Sequence, residues 1–440
     1  MLSAQDNELL TRTGPGTPMG ELFRRFWLPL LLPAELPAPD CPPIRVRVLG
    51  EDIVAFRDTD GRAGFIAEAC PHRGASLFFG RNEEDGLRCV YHGWKYDVEG
   101  RCVDMPSEPA ESNFRSKVHA RAYPTRERNG VIWAYMGPRE TPPDLPELEG
   151  NMHETYVVTI LHRPNNWMQG IEGELDTVHA SFLHGGAAKL ENLQPGSFQY
   201  YEHKNRAGRF SAREELHGTS YGMYREAEED SYYWRIGHLL FPFFAMPPGG
   251  ATLGNSANFI AYVPMDDEHT LEWAVAARPP GVPRPSVAGS PGRPGTAIGR
   301  DYLPNGTGWF DRYNITQNYT NDFLIDREAQ RNWQSYTGIP GGRQQDMAMT
   351  ESMGAIYDRT HEHLGTTDAM IIRTRRAYIR AAEALRDQGI VPASVDHPEA
   401  YHQRSGQVVL PRSVDWWEAT RPLRERFEAK PLTTAPIATC

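Results

Sequence analysis

Two short stretches decide the reading of this chain: Cys70-Pro71-His72-Arg73-Gly74-Ala75 and Cys89-Val90-Tyr91-His92-Gly93-Trp94-Lys95-Tyr96. Each offers one thiolate and one imidazole, and a glycine follows each histidine closely, at Gly74 and Gly93. Glycine lets the backbone turn tightly and point N–H groups at a buried anionic centre. Two sulfur and two nitrogen donors suffice for tetrahedral zinc, but zinc knuckles space their ligands as C-x₂₋₄-C and H-x₃₋₅-H. Here each loop mixes the two types. That mixture suits a two-iron cluster with two cysteines on one iron and two histidines on the other, an exchange that raises the reduction potential.

The surroundings read as strands. Ile44, Val46 and Val48 alternate with Arg45 and Arg47, Gly50-Glu51-Asp52 turns the chain, and Ile53-Val54-Ala55-Phe56 follows. Asp60-Gly61 is another turn, before Gly64-Phe65-Ile66-Ala67; Val131-Ile132-Trp133-Ala134-Tyr135 closes the series after Asn129-Gly130. Short strands between glycine turns predict a small all-β domain over roughly residues 40–140. Pro142, Pro143 and Pro146 mark a linker. Beyond it, residues 232–236 and 271–275 predict strands of a larger sheet, and the Pro- and Gly-rich residues 278–295 an exposed loop. Thr367 is placed to cap a helix running to Gln388 and stopped by Gly389, with Ile371, Tyr378, Ala382 and Leu385 on one packing face. No internal repeat is present.

The 440 residues suit two to three domains, and 40% hydrophobic content excludes global disorder. A net charge of −11 argues against a nucleic-acid-binding surface, which needs a basic stripe. The longest apolar run, from Phe26 to Ala34, carries Pro29 and Pro33 and is too short for a membrane span, which takes about 20 residues. No signal peptide is visible, and five cysteines, an odd number, fit a reducing cytoplasm better than a disulfide framework. Cys41, Cys102 and Cys440 lack chemically loaded neighbours and read as ordinary buried or terminal thiols.

A second constellation lies in Asn166-Trp167-Met168-Gln169-Gly170-Ile171-Glu172-Gly173-Glu174-Leu175-Asp176-Thr177-Val178-His179-Ala180-Ser181-Phe182-Leu183-His184. On a helix, Glu172, Asp176 and His179 share a face. His184 lies about 140° round from His179, so both reach one ion only if the helix ends or bulges near residues 181–183. Two imidazoles and a carboxylate with open positions are the facial arrangement of non-haem Fe(II) centres that activate O₂. Asp346 and Asp358 are the candidates for the carboxylate; Asp358, next to Arg359, reads as a structural ion pair or a cap.

Together these residues carry a resemblance. The two loops, with Asp104-Met105-Pro106 as a covering proline loop, resemble a Rieske 2Fe–2S domain. The Glu-x-x-x-Asp-x-x-His segment and the Gln345-Asp346 pattern resemble the iron site of the Rieske non-haem iron oxygenases, closest to the phthalate dioxygenase-like branch. The resemblance implies an α+β architecture: an N-terminal segment 1–40 packing on the catalytic domain, an all-β Rieske domain 41–145, and a helix-grip catalytic domain 146–440. It implies a 2Fe–2S cluster on Cys70, His72, Cys89 and His92, an Fe(2+) ion on His179, His184 and Asp346, and Asp176 as the link to a neighbouring subunit's cluster.

It further implies a homotrimer or hexamer and an aromatic substrate oxidised with O₂ by dihydroxylation, hydroxylation or O-demethylation. No nucleotide-binding signature is present, since Gly14-Pro15-Gly16 lacks the strand and the spacing, so electrons come from a separate NAD(P)H-dependent reductase carrying flavin or iron–sulfur. Arg225 and Arg235, on expected strands, are candidates to clamp a substrate carboxylate. Phe182, Tyr221, Trp234, Phe241 and Phe244 are candidate pocket aromatics. Rival readings are a Rieske electron carrier without oxygenase activity, a zinc-binding structural module, and an oxidase of an aliphatic quaternary amine.

Overall fold

The computed structural model describes residues 1–277 and 301–429. The expected loop over 278–295 and Cys440 lie outside them. Strands Ile44–Val48, Glu51–Arg57, Ala63–Ala67 and Ala122–Tyr123 form one antiparallel sheet in that order. Arg81–Glu83, Gly86–Arg88, Lys95–Tyr96 and Cys102–Asp104 form a second, and the two cluster loops emerge beside it.

The first sheet is buried on both faces, which explains the unbroken apolar run at 53–56. Ile53, Ala55 and Phe65 join a large core shared with the rest of the chain, while Val54, Phe56 and Ile66 join a smaller core beneath Cys70, Cys89, Trp94 and Tyr96. Alternate side chains of a strand point to opposite faces. Each fully buried large apolar side chain contributes roughly 1.5–3 kcal/mol.

The apolar run at 26–34 is a strand. Trp27–Leu31 is entirely buried and pairs with Val131–Tyr135, which pairs in turn with Thr125–Arg128. Pro29 is tolerated because this strand lies at the sheet edge, and the register slips between Pro29 and Leu31. The helices before it, Ala4–Thr11 and Pro18–Arg24, pack on Ala369–Gln388. The residues before 40 therefore serve two bodies at once.

The second half is built on one antiparallel sheet. Its order is Tyr156–Arg163, Thr270–Ala277, Asn258–Pro264, Phe244–Met246, Ser231–Leu240, Gly218–Glu226 and Arg209–Glu215. Gly406–Pro411 extends it by pairing with residues 231–236. Ala369–Gln388 packs across this sheet, and Tyr378 meets Trp167 at 4.9 Å, Phe241 at 5.0 Å and Phe23 at 6.3 Å between ring centroids. The helix starts at Ala369 rather than from a Thr367 cap, because residues 366–368 form a 3₁₀ turn whose Asp368 carboxylate accepts the N–H of Gly365. It ends as expected at Gly389, whose φ of 69° is the left-handed conformation glycine adopts cheaply.

The first sheet is fastened to the second half. Leu49 and Gly50 donate backbone N–H groups to Pro264 and Met265 at 2.9 Å, and Arg47 pairs with Asp266 at 2.9 Å. No helix among the described residues is long and apolar enough to cross a membrane.

Candidate active site and cluster site

The two cysteine–histidine loops share one backbone design. Cys70 N–H donates to Ala75 and Gly74 N–H to Cys70; Cys89 N–H donates to Trp94 and Gly93 N–H to Cys89. Gly74 and Gly93 close these turns at φ of 75° and 81°, and a Cβ on Gly93 would stand 2.7 Å from the Pro106 ring. Pro106 thus closes over the second loop.

The histidines of the two loops lie against each other, and so do the cysteines. The rings of His72 and His92 are 4.4 Å apart, and His72 stacks on Trp94 at 4.1 Å. Nδ1 of His72 is buried with no hydrogen-bond partner. A buried lone donor or acceptor costs free energy unless something meets it. Burial pushes the Cys89 thiol pKa up, and the neighbouring Cys70 adds to it. Burial and Cys70 hold the Tyr96 phenol far above its ordinary range, so it stays protonated, its oxygen 3.4 Å from Cys70 Sγ. Two crowded buried thiols beside an orphaned imidazole nitrogen fit a cationic centre such as the iron of a 2Fe–2S cluster.

At the second constellation the structure departs from the expected helix. The helix spans Trp167–Leu175, capped by Asn166, whose side chain accepts the N–H of Met168. Asp176 already leaves it, at ψ of 96°, and His179 begins a separate 3₁₀ turn, His179–Ser181. The break lies earlier than residues 181–183, and no bulge is needed. Glu172 faces away from the site, gripped by both Arg359 (2.9 Å) and Arg375 (2.5 Å). That grip ties the helix to Ala369–Gln388. Gly170 lets the helix lie against the sheet, since a Cβ there would meet the Tyr262 ring at 2.1 Å.

Breaking the helix brings His179 and His184 together with Asp346, which stands on the helix Gly342–Ser352. Nε2 of His179 and Nε2 of His184 are 3.2 Å apart, and Oδ1 of Asp346 is 3.0 Å from His184 and 3.6 Å from His179. Ligand bonds of about 2.1 Å put adjacent corners of an octahedron about 3.0 Å apart, so the spacing fits three facial ligands. Burial alone would raise the Asp346 pKa; His184, Arg343 and His179 overcome it and hold it down to about 2. The opposite faces of both rings are engaged too. Nδ1 of His179 is 3.6 Å from Asp176 Oδ2, and Nδ1 of His184 is 2.8 Å from Gln345 Oε1.

Asp358 stands apart from this cluster. It is exposed and accepts hydrogen bonds from the N–H and hydroxyl of Thr360, while the adjacent Arg359 turns inward to Glu172. The ion pair expected between Asp358 and Arg359 is absent because Glu172 offers the guanidinium a buried bidentate partner.

A cavity of about 190 Å³ opens on the three ligand candidates. Its walls include Asp176, Thr177, Arg235, Tyr262 and the Pro247–Gly250 segment. Arg235 donates to Thr177 Oγ1 at 2.5 Å and faces Glu202 at 3.5 Å. Arg225 lies on the same sheet face but is not part of the wall; its Nε and Nη1 are buried without a hydrogen-bond partner among the described residues. Burial and the charge of Arg235 lower its pKa to about 10. Of the expected pocket aromatics, Tyr221, Trp234, Phe241 and Phe244 are core, and Phe182 is largely exposed beneath the guanidinium of Arg206.

Comparison with known proteins agrees with both halves. Residues 26–124 match the Rieske [2Fe-2S] domain family, and residues 134–433 match the LigXa C-terminal domain like family. The chain is 43% identical over 423 residues to the 3-chlorobenzoate-3,4-dioxygenase oxygenase subunit of Comamonas testosteroni, covering 94% of this chain and 97% of that protein. It is 38% identical to the phthalate 4,5-dioxygenase oxygenase subunit of Pseudomonas putida, covering 94% of each. It is 33% identical to the 5,5'-dehydrodivanillate O-demethylase oxygenase subunit of Sphingobium sp., covering 88% of this chain and 81% of that protein. Among solved structures, Pseudomonas putida CBB5 NdmA with theobromine superposes with a TM-score of 0.56 at 17% identity, covering 90% of this chain and 99% of that one. Dicamba monooxygenase does so with 0.54 at 18%, covering 83% and 99%. At these identities the likeness is one of fold.

The chain belongs to the Rieske non-haem iron oxygenases, as an oxygenase component of the phthalate dioxygenase-like branch. It is an oxidoreductase that uses a Rieske 2Fe–2S cluster and a mononuclear iron. The carrier and zinc-module readings fall with that membership.

Proposed function

We propose that this oxygenase component oxidises an aromatic carboxylate, and that Cys70, His72, Cys89 and His92 hold the cluster while His179, His184 and Asp346 hold the iron. The observation that carries the reading is the convergence of His179 Nε2, His184 Nε2 and Asp346 Oδ1 on a cavity that Arg235 also lines. The bound iron would supply O₂ activation with electrons delivered singly through the cluster.

The chain's own residues do the rest. Arg235 orients the substrate by its carboxylate, held in aim by Thr177. Arg225 and Arg235 share the carboxylate of Glu202, so the guanidinium that Arg235 brings to the cavity wall is only partly neutralised there and favours an anionic group beside it. Asp176 braces His179 and takes the place of the acid that joins the iron site to a neighbouring subunit's cluster. That role goes with a homotrimeric or hexameric assembly, a separate NAD(P)H-dependent reductase and a cytoplasmic location. The domain division at 40 and 145 belongs to the same proposal.

A quaternary-amine substrate would call for a cage of Trp, Tyr or Phe rings, whereas Tyr262 is the single one of these on the cavity wall among the described residues. The test is turnover of a panel of aromatic acids with a surrogate reductase. A diol identifies dioxygenation and formaldehyde identifies O-demethylation; turnover confined to uncharged or cationic compounds overturns the carboxylate reading.

A further inference from the structure

We propose that Gln345 is a positioning residue that fixes the tautomer and aim of His184, an inference that rests on His184 being an iron ligand. The Gln345 amide is buried, and its neighbours tell its two ends apart. One end lies 2.9 Å from the backbone carbonyl of Ile339 and 3.1 Å from Thr337 Oγ1. A carbonyl oxygen only accepts, so that end is the NH₂ group. The other end is therefore the oxygen, and it stands 2.8 Å from Nδ1 of His184. An oxygen at that distance requires Nδ1 to carry the proton. In the neutral ring, Nε2 then carries the lone pair, and it is Nε2 that points at Asp346 Oδ1 and His179 Nε2.

The arrangement also fixes direction. Gln345 precedes the ligand candidate Asp346 on one helix, so a single helical turn sets both the carboxylate and the brace behind the second histidine. The brace is anchored on residues 337–339, and Tyr336 in the same segment packs against the backbone of Gly186, two residues beyond His184. Hydrogen bonds of this kind to a metal-bound histidine change affinity or activity by about 10- to 100-fold when removed.

The test compares Gln345→Leu, Gln345→Glu and His184→Ala in the full chain with the cluster in place. Mononuclear iron is removed by dialysis against a weak chelator, and Fe(II) is titrated back, with visible cluster absorbance and near-UV circular dichroism checking the fold. Gln345→Leu is expected to weaken Fe(II) binding about 10- to 100-fold, while Gln345→Glu, which keeps the acceptor, holds iron at least as tightly as the parent. Should Gln345→Leu fail to fold, Gln345→Asn, which keeps the amide but withdraws it by one methylene, takes its place with the same expected loss. Unchanged affinity in Gln345→Leu or Gln345→Asn overturns the proposal, and so does Gln345→Glu binding as poorly as Gln345→Leu. If His184→Ala keeps its iron, the ligand assignment itself is wrong, which is a separate failure.

Discussion

Asp176 and His179 are joined twice: Oδ1 of Asp176 faces the His179 backbone N–H at 3.4 Å, and Oδ2 lies 3.6 Å from the ring Nδ1. Oδ1 also accepts the N–H of Val178 at 2.8 Å, so the carboxylate both ends the helix and braces the ligand that follows it. Asp176→Asn keeps the shape and loses the charge. We expect it to retain cluster and mononuclear iron while turnover falls at least about 10- to 100-fold. Stopped-flow reoxidation of the reduced cluster in the presence of substrate and O₂ checks this. Normal reoxidation and turnover would remove Asp176 from the electron route.

His179→Ala and His184→Ala each take one corner from the facial set. Both are expected to lose the mononuclear iron and keep the cluster, whose ligands belong to a separate core. Iron analysis should fall by one ion per chain, with the reduced-state EPR signal of the cluster unchanged. A loss of the cluster as well would mean that the two sites are not independent.

Arg235→Met keeps much of the side-chain volume and removes the charge. A charge-assisted hydrogen bond is worth about 1.5–3 kcal/mol, so KM for a carboxylated substrate should rise about 10- to 100-fold. The corresponding amide should be little affected, and steady-state kinetics on the pair separate the two. The same loss on both would make Arg235 structural, a role its approach to Glu202 also permits.

Glu351 supplies a pH signature of the fold. Burial raises its pKa from 4.5 to about 7, against the pull of Arg163 at 3.3 Å. The folded state therefore holds this proton more tightly than the unfolded chain. Its contribution is fully present below pH 4.5 and is lost as pH rises to about 7. Such a gap corresponds to roughly 3 kcal/mol at most. Denaturant unfolding from pH 4.5 to 7 should show Glu351→Gln gaining relative to the parent as pH rises; parallel curves would mean that Glu351 titrates normally.

What could be read along the chain was what depends on neighbours in sequence. The cysteine–histidine loops hold their own turns with bonds spanning four or five residues, so Gly74 and Gly93 were visible as requirements. The stop at Gly389 is equally local. The helix at 167–175 was legible, but its end was not: Asp176 leaves it through a local capping bond that helical spacing does not reveal. The strand at 27–31 is not legible in the sequence, because Pro29 disguises an apolar edge strand.

Residue types and short spacings along the polypeptide determined the cluster loops and the histidine pair and offered Asp346 and Asp358 as carboxylate candidates, since each is a matter of a few bonds of chain. Tertiary structure alone decided that Glu172 is spent on Arg359 and Arg375, that Arg235 rather than Arg225 reaches the cavity wall, and that Gln345 meets His184. Those meetings join distant segments through sheet register and helix packing, and no periodicity within either segment encodes the partner.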